Sequence, residues 1–185
     1  MIRVVLLDRD GVINVSPPDQ GYVCSPGELH LVEGSPEAIA KLNRAGIKVG
    51  VVSNQAGVER GILSEEDLAR VTERLHEELG QAGAHLDALE YCKVYDDSDP
   101  RRKPNPGMLL EVMERLGAEA CEAVMVGDSL RDIRAGKSAG CRTVLVLTGE
   151  VRSEKQIGDW DDPPDAVCRS LSQFVDELLE GTCAF

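Results

Sequence analysis

Asp8 and Asp10 stand two residues apart in LLDRDG, directly behind a short apolar run. On an extended chain residues so spaced face the same way, roughly 6.5 to 7 Å apart, so both carboxylates can serve one ligand while Arg9 points elsewhere. Gly11 then lets the chain turn sharply away. Two acids so placed suit a nucleophile, its acid–base partner and a divalent cation; they suit a solvated strand end closed by an Asx-turn equally well. Ser53-Asn54-Gln55-Ala56-Gly57 offers a hydroxyl, two amides and turn N–H groups able to hold phosphate oxygens, although the same residues favour ordinary turns. In Arg101-Arg102-Lys103-Pro104-Asn105-Pro106-Gly107 the prolines restrict the backbone ahead of a helix, so a cation there is held in place; a basic surface turn has the same composition. Asp128 and Asp132, four apart in GDSLRD, share a face at the first turn of a helix, where they suit Mg²⁺ or plain helix capping.

These four stretches follow apolar runs rich in Val, Ile and Leu: RVVLLD at 3 to 8, IKVGVVS at 47 to 53, LEYCKVY at 89 to 95 and AVMVGD at 123 to 128, with a fifth, RTVLVL, at 142 to 147. Their lack of polar alternation predicts strands buried on both faces. Helix-patterned segments lie between them: SPEAIAKLNRAG, SEEDLARVTERLHEELGQAG, NPGMLLEVMERLG and SLRDIRAGKSAG, with SLSQFVDELLEG last. Ser64 ahead of Asp67 reads as a capped start, and the closing glycines read as stops. Strands alternating with helices predict an α/β fold, a doubly wound, mostly parallel, Rossmann-like sheet of about five strands. Residues 15 to 30, 96 to 107 and 149 to 165 carry no period and read as loops.

In such a sheet the carboxyl ends of the strands converge on one crevice. Each of the four patterns has a bland use by itself, but the fold gathers all four at the same place. Together they compose an Mg²⁺-dependent phosphoryl-transfer site with two acids, a hydroxyl, a cation and a metal-binding carboxylate.

The totals limit what such a site can serve. A chain of 185 residues suits one domain spanning 1–185. A formal charge of -13 argues against nucleic-acid or anionic-membrane partners and leaves a small phosphorylated molecule. The N-terminal MIRVVLLDRDG reads as neither a signal peptide nor a membrane span, so a cytoplasmic protein is expected, as a monomer or small homo-oligomer. The six cysteines have no CxxC and no regular spacing, and are expected to be reduced.

LLDRDGVIN, VVSNQAGVERG, RRKPNPGML and VGDSLRDIRAG, in that order, resemble the four motifs of the haloacid dehalogenase-like phosphatases. Within that superfamily the wording is most similar to the D-glycero-D-manno-heptose 1,7-bisphosphate 7-phosphatases and the related histidinol-phosphate phosphatases. The resemblance implies that Asp8 is the nucleophile forming an aspartyl-phosphate, and that Asp10 protonates the leaving alcohol and then activates water. It implies Mg²⁺ held by Asp8, the main-chain carbonyl of Asp10 and Asp128, with Asp132 helping from the edge, and phosphoryl oxygens steadied by Ser53 and Lys103. Asn54, Gln55, Arg102 and the loop Asp19-Gln20-Gly21-Tyr22 fall at substrate-contacting positions. Heptose bisphosphate is the leading substrate, histidinol phosphate the runner-up, and an inactive phosphosugar-binding module the reading from another class.

Two departures from the family pattern bear on specificity. Only 42 residues, 11 to 52, separate the first two motifs and only 49 separate Ser53 from Lys103, so no cap domain fits. Substrate choice should therefore come from loops 15 to 23 and 92 to 103. The family's zinc site, a Cys-x-His pair and a later Cys-x-Cys, is reduced to Cys92: Val94 stands in the His position and Asp99-Pro100-Arg101 precede Arg102. One thiolate does not make the four-coordinate site that structural zinc requires, so no structural Zn²⁺ is expected. The loop is expected to be shaped by turn chemistry at Asp96, Asp97, Asp99 and Pro100 and by ion pairs with Arg101.

Overall fold

In the computed structural model, which describes residues 1–18, 21–158, 160–183 and 185, the apolar runs form strands β1 (Val4–Leu7), β2 (Lys48–Asn54), β3 (Ala88–Cys92), β4 (Ala123–Gly127) and β5 (Arg142–Val146). A sixth, β6 (Ala166–Cys168), joins these five runs at the edge of the sheet. Its three residues, just beyond the stretch 149 to 165 read as loop, are too few for any period to register, and they pair with β5 from Val144↔Ala166 to Val146↔Cys168. The expected third strand is also shorter, ending at Cys92 rather than at Tyr95. All six are parallel, in the order β3-β2-β1-β4-β5-β6. The chain winds outward in both directions from β1, and the ends of β1 and β4 lie side by side.

Helices α1 (Ser35–Arg44), α2 (Glu65–Gln81), α3 (Gly107–Leu116), α4 (Leu130–Ser138) and α5 (Leu171–Glu180) follow the expected segments. The cap at Ser64 forms as expected, its hydroxyl accepting from Asp67 N–H while the Asp67 carboxylate accepts from Ser64 N–H. Strand alternation sorts the core into two layers. Val5, Leu7, Val49, Val51, Val124 and Val126 face α1, α2 and α5 through Ile39, Leu75 and Phe174. Val4, Leu6, Val52 and Met125 face α3 and α4 through Met108, Val112 and Ala135. Gly50 has no side chain on that second face because Val112 occupies the space, 2.6 Å from where its Cβ would stand. Among the described residues, the one α-helix between β1 and β2 is α1 and that between β2 and β3 is α2, so in them the carboxyl edge of the sheet lies beneath loops rather than beneath a cap. Among the described residues no helix is long and apolar enough to cross a membrane.

Candidate active site

A cavity of about 480 Å³ opens at the carboxyl edge, with Asp8, Asp10, Ser53, Asn54, Arg102, Lys103, Asp128 and Asp132 among its lining residues. Lys103 comes from the β3–α3 loop and is almost completely buried. Its Nζ lies 3.0 Å from Asp8 Oδ1 and 2.6 Å from Asp132 Oδ1. Asn54 fixes that lysine at the backbone: its Nδ2 donates to Lys103 O (2.9 Å) and its Oδ1 accepts from Lys103 N–H (3.1 Å). Asn54 thus serves the site through Lys103 as well as by lining the cavity.

Asp8, Asp128 and Asp132 bring one carboxylate oxygen each to within 4.8 Å of one another, the one such group of metal-type ligands among the described residues. Three acids against one lysine leave excess negative charge in a confined space, and the titration behaviour reflects it. Burial, opposed by Lys103 but reinforced by Asp132 and Asp10, raises the Asp8 carboxyl to about 6. Burial, with Asp132 and Asp8 adding to it, raises Asp128 to about 8. Lys103 is held above its ordinary value, because Asp132 and Asp8 outweigh its desolvation. An oxygen-only donor set with surplus charge is the chemistry of a hard cation such as Mg²⁺.

The backbone is shaped around Asp128. Added Cβ atoms on Gly11 and Gly149 would fall 2.2 and 1.8 Å from Asp128 Oδ2, and Gly11 also has φ +85°. Glu150 N–H donates to that same oxygen (2.6 Å), and Thr148 Oγ1 donates to Gly11 O (2.6 Å). Asp132 joins the acidic group and also caps α4, its Oδ2 accepting from Asp128 N–H, Ser129 N–H and Ser129 Oγ. Capping and site-building are therefore one arrangement here, not alternatives.

Asp10 is enclosed by donors. Arg9 Nη2 stands 3.1 Å from both its oxygens, Asn14 Nδ2 donates to Oδ1 at 2.8 Å and Gln55 Nε2 to Oδ2 at 2.8 Å. Gln55, expected among the substrate contacts, is fully buried beside Asp10 and Ser53, to whose Oγ it also donates at 3.1 Å. The cavity wall includes Gly21 and Tyr22, while Asp19 and Gln20 lie outside the described residues.

The loop before Lys103 is braced by turn chemistry as expected, but not by the expected arginine. Asp96 and Asp99 carboxylates accept from Ser98 and Arg101 N–H groups, and Asn105 Nδ2 donates to the carbonyls of Asp97 and Asp99. Arg101 turns away to Glu90 and Glu111. The arginines that reach the loop are Arg102 and Arg131, whose guanidinium groups lie 2.8 and 3.1 Å from Asp97 Oδ1. Cys92 is buried, which raises its thiol pKa, and Val94 packs against the same apolar layer.

Thr148, Gly149, Glu150, Arg131, Arg152 and Asn14 were not singled out from sequence. The residues after β5 were nonetheless findable: they follow a parallel strand, where the fold gathers its ligands.

This architecture, with its acids after β1 and β4, defines a HAD-like hydrolase, and the HAD-hydrolase-like family model matches residues 100–174. Over 185 residues the chain is 39% identical to the D-glycero-beta-D-manno-heptose-1,7-bisphosphate 7-phosphatase of Neisseria meningitidis serogroup A, spanning 100% of this chain and 89% of the relative. It is 35% identical to the enzyme of that name from Bordetella bronchiseptica over 180 residues, 97% of this chain and 99% of the other. A crystal structure of D,D-heptose 1,7-bisphosphate phosphatase from B. bronchiseptica complexed with magnesium and phosphate superposes with a TM-score of 0.88, at 35% identity, covering 97% of this chain and 99% of that one. The chain belongs to this family of HAD-like phosphatases.

Proposed function

We propose that the protein hydrolyses the 7-phosphate of D-glycero-D-manno-heptose 1,7-bisphosphate with Mg²⁺. The observation that carries this reading is the convergence of Asp8, Asp128 and Lys103 at the floor of the cavity. Asp8 attacks phosphorus, Asp10 gives a proton to the departing alkoxide and then draws one from the water that hydrolyses the aspartyl-phosphate, and Lys103 with Ser53 steadies the phosphoryl oxygens. Asp8, the Asp10 main-chain carbonyl and Asp128 would hold Mg²⁺, with Asp132 at the edge. Bound there, the ion supplies charge neutralisation for the transferring group. Tyr22, Arg102, Arg131 and Arg152 present polar and cationic walls to the rest of a sugar bisphosphate.

Phosphate release with Mg²⁺ from α- and β-heptose bisphosphate, histidinol phosphate and common hexose phosphates tests the substrate. A heptose bisphosphate is expected to exceed the others in kcat/KM by at least about tenfold. A flat, low response across all of them would sink the substrate assignment, and no release from any ester would favour a binding module.

The two raised carboxyl groups set a pH dependence. Both lie above the ordinary value of 3.8, so their contribution to stability in the metal-free protein is complete below about pH 4 and is lost as pH rises through about 6 for Asp8 and about 8 for Asp128. Mg²⁺ relieves the exposed repulsion only where the carboxyls are ionised, so the rise in melting temperature on adding Mg²⁺ should be larger at pH 8.5 than at pH 5. An equal rise at both would contradict the assigned ligands. The absence of a structural Zn²⁺ is part of the same proposal: elemental analysis of purified protein should find far less than one equivalent, and one equivalent would overturn it.

A further inference from the structure

Arg9 occupies the position between the two motif aspartates and has no exposed surface. A fully buried arginine is rare and costly unless its donors are matched. Here they are matched on two sides, and the carboxylate takes the larger share: Nε and Nη2 fork onto Asp10 at 3.3 and 3.1 Å. From the other side Nη1 meets Tyr91 Oη at 3.4 Å, the guanidinium carbon lies 5.5 Å from the Tyr91 ring centroid, and Tyr91 Oη is 3.0 Å from Thr72 Oγ1. The guanidinium is thus clamped between an aromatic residue on β3 and the carboxylate it grips. Its side chain does not line the cavity, and the cavity-lining side chain it contacts is Asp10.

The two amides around Asp10 point the same way. Asn14 and Gln55 each give an N–H to the carboxylate, and their carbonyl oxygens, Oδ1 and Oε1, are buried with no partner among the described residues. Reversing either amide would set its oxygen against a carboxylate oxygen. Leaving two buried acceptors unpaired is unfavourable, a cost that holding a carboxylate in one orientation accounts for.

We propose that Arg9 is a positioning residue whose buried fork fixes the Asp10 carboxyl for proton delivery to the leaving group. This rests on Asp10 being the acid of the reaction described above. In that step the bond from phosphorus to the sugar oxygen breaks, the bond from phosphorus to Asp8 forms, and the Asp10 proton goes to the departing alkoxide, leaving Asp10 ionised. A mispositioned acid therefore matters for a sugar alkoxide, a poor leaving group, and matters little for p-nitrophenolate, which departs unprotonated.

The test compares kcat/KM on heptose bisphosphate and on p-nitrophenyl phosphate for Asp10→Asn, Arg9→Met and Arg9→Lys, the last keeping the charge but losing the fork. Asp10→Asn should lose about 10²-fold or more on the sugar ester beyond its loss on the aryl ester. Arg9→Met should show the same preferential loss, and Arg9→Lys a loss of about tenfold in the same direction. Should neither Arg9 variant fold, the same ratio read on Tyr91→Phe, which removes only the hydroxyl, decides the matter. Equal losses on both esters in a folded Arg9 variant, with Asp10→Asn still discriminating, would overturn the role of Arg9 alone. No discrimination by Asp10→Asn would overturn the acid assignment and the proposal with it.

Discussion

Asp8→Asn should lower turnover more than about 10⁴-fold while raising the melting temperature of the metal-free protein at pH 8. The first effect follows from losing the carboxylate proposed as the nucleophile, which lies 3.0 Å from Lys103 Nζ. The second follows from electrostatics. Burial and the neighbouring Asp132 and Asp10 work against an ionised Asp8, Lys103 only partly offsets them, and its carboxyl is raised to about 6. Asn has nearly the same shape and no charge, so the fold is relieved of a repulsion that catalysis requires. Activity assays and thermal melts of the same preparation check both. Turnover close to that of the unaltered protein would remove Asp8 from the role of nucleophile, and an unchanged or lower melting temperature would show that the acidic group is not repulsive without metal.

Lys103→Met should move stability in the opposite direction. The lysine is buried, within 3.0 Å of Asp8 and 2.6 Å of Asp132, so methionine leaves the buried Asp132 carboxylate and the partly buried Asp8 carboxylate together without a cation. Breaking a buried pair by deleting one partner costs about 3–5 kcal/mol, and denaturant unfolding of the metal-free protein should register a loss of that order. Turnover should fall about 10²- to 10³-fold, the usual scale for removing one preorganised group that stabilises transition-state charge. The pair of variants is more informative than either alone. Removing the acid stabilises and removing the base destabilises only if Asp8 and Lys103 belong to one crowded electrostatic site.

Much of that site was legible because its logic is local. Asp8 and Asp10 follow an apolar strand, Asp128 and Asp132 flank a capped helix start, and parallel strands gather their ends at one edge. What lay beyond the sequence was set by contacts between distant segments. Arg9 was expected only to point away from a ligand; its burial against Tyr91 and Asp10 depends on β3 standing beside β2 at that level. Gln55 has the chemistry of a substrate contact, and only the packing over it turns the amide inward to Asp10. Arg101 and Arg102 are adjacent and alike, yet chain direction sends one to Glu90 and Glu111 and the other to Asp97. Gly11 reads as a turn and Gly149 only as the start of a loop, whereas their tighter constraint is the Asp128 carboxylate lying against both. Strand β6 escaped notice because three residues carry no usable period and its pairing with β5 spans some twenty residues of irregular chain.

The central claim, that this site removes the 7-phosphate from a sugar bisphosphate, is tested most directly by following D-glycero-D-manno-heptose 1,7-bisphosphate with ³¹P NMR in the presence of Mg²⁺ and the protein. The resonance of the C7 phosphomonoester should give way to inorganic phosphate while the anomeric C1 phosphate persists, and chelation of the metal should halt the change. Loss of the anomeric phosphate first, or an unchanged spectrum with Mg²⁺ present, would contradict the account.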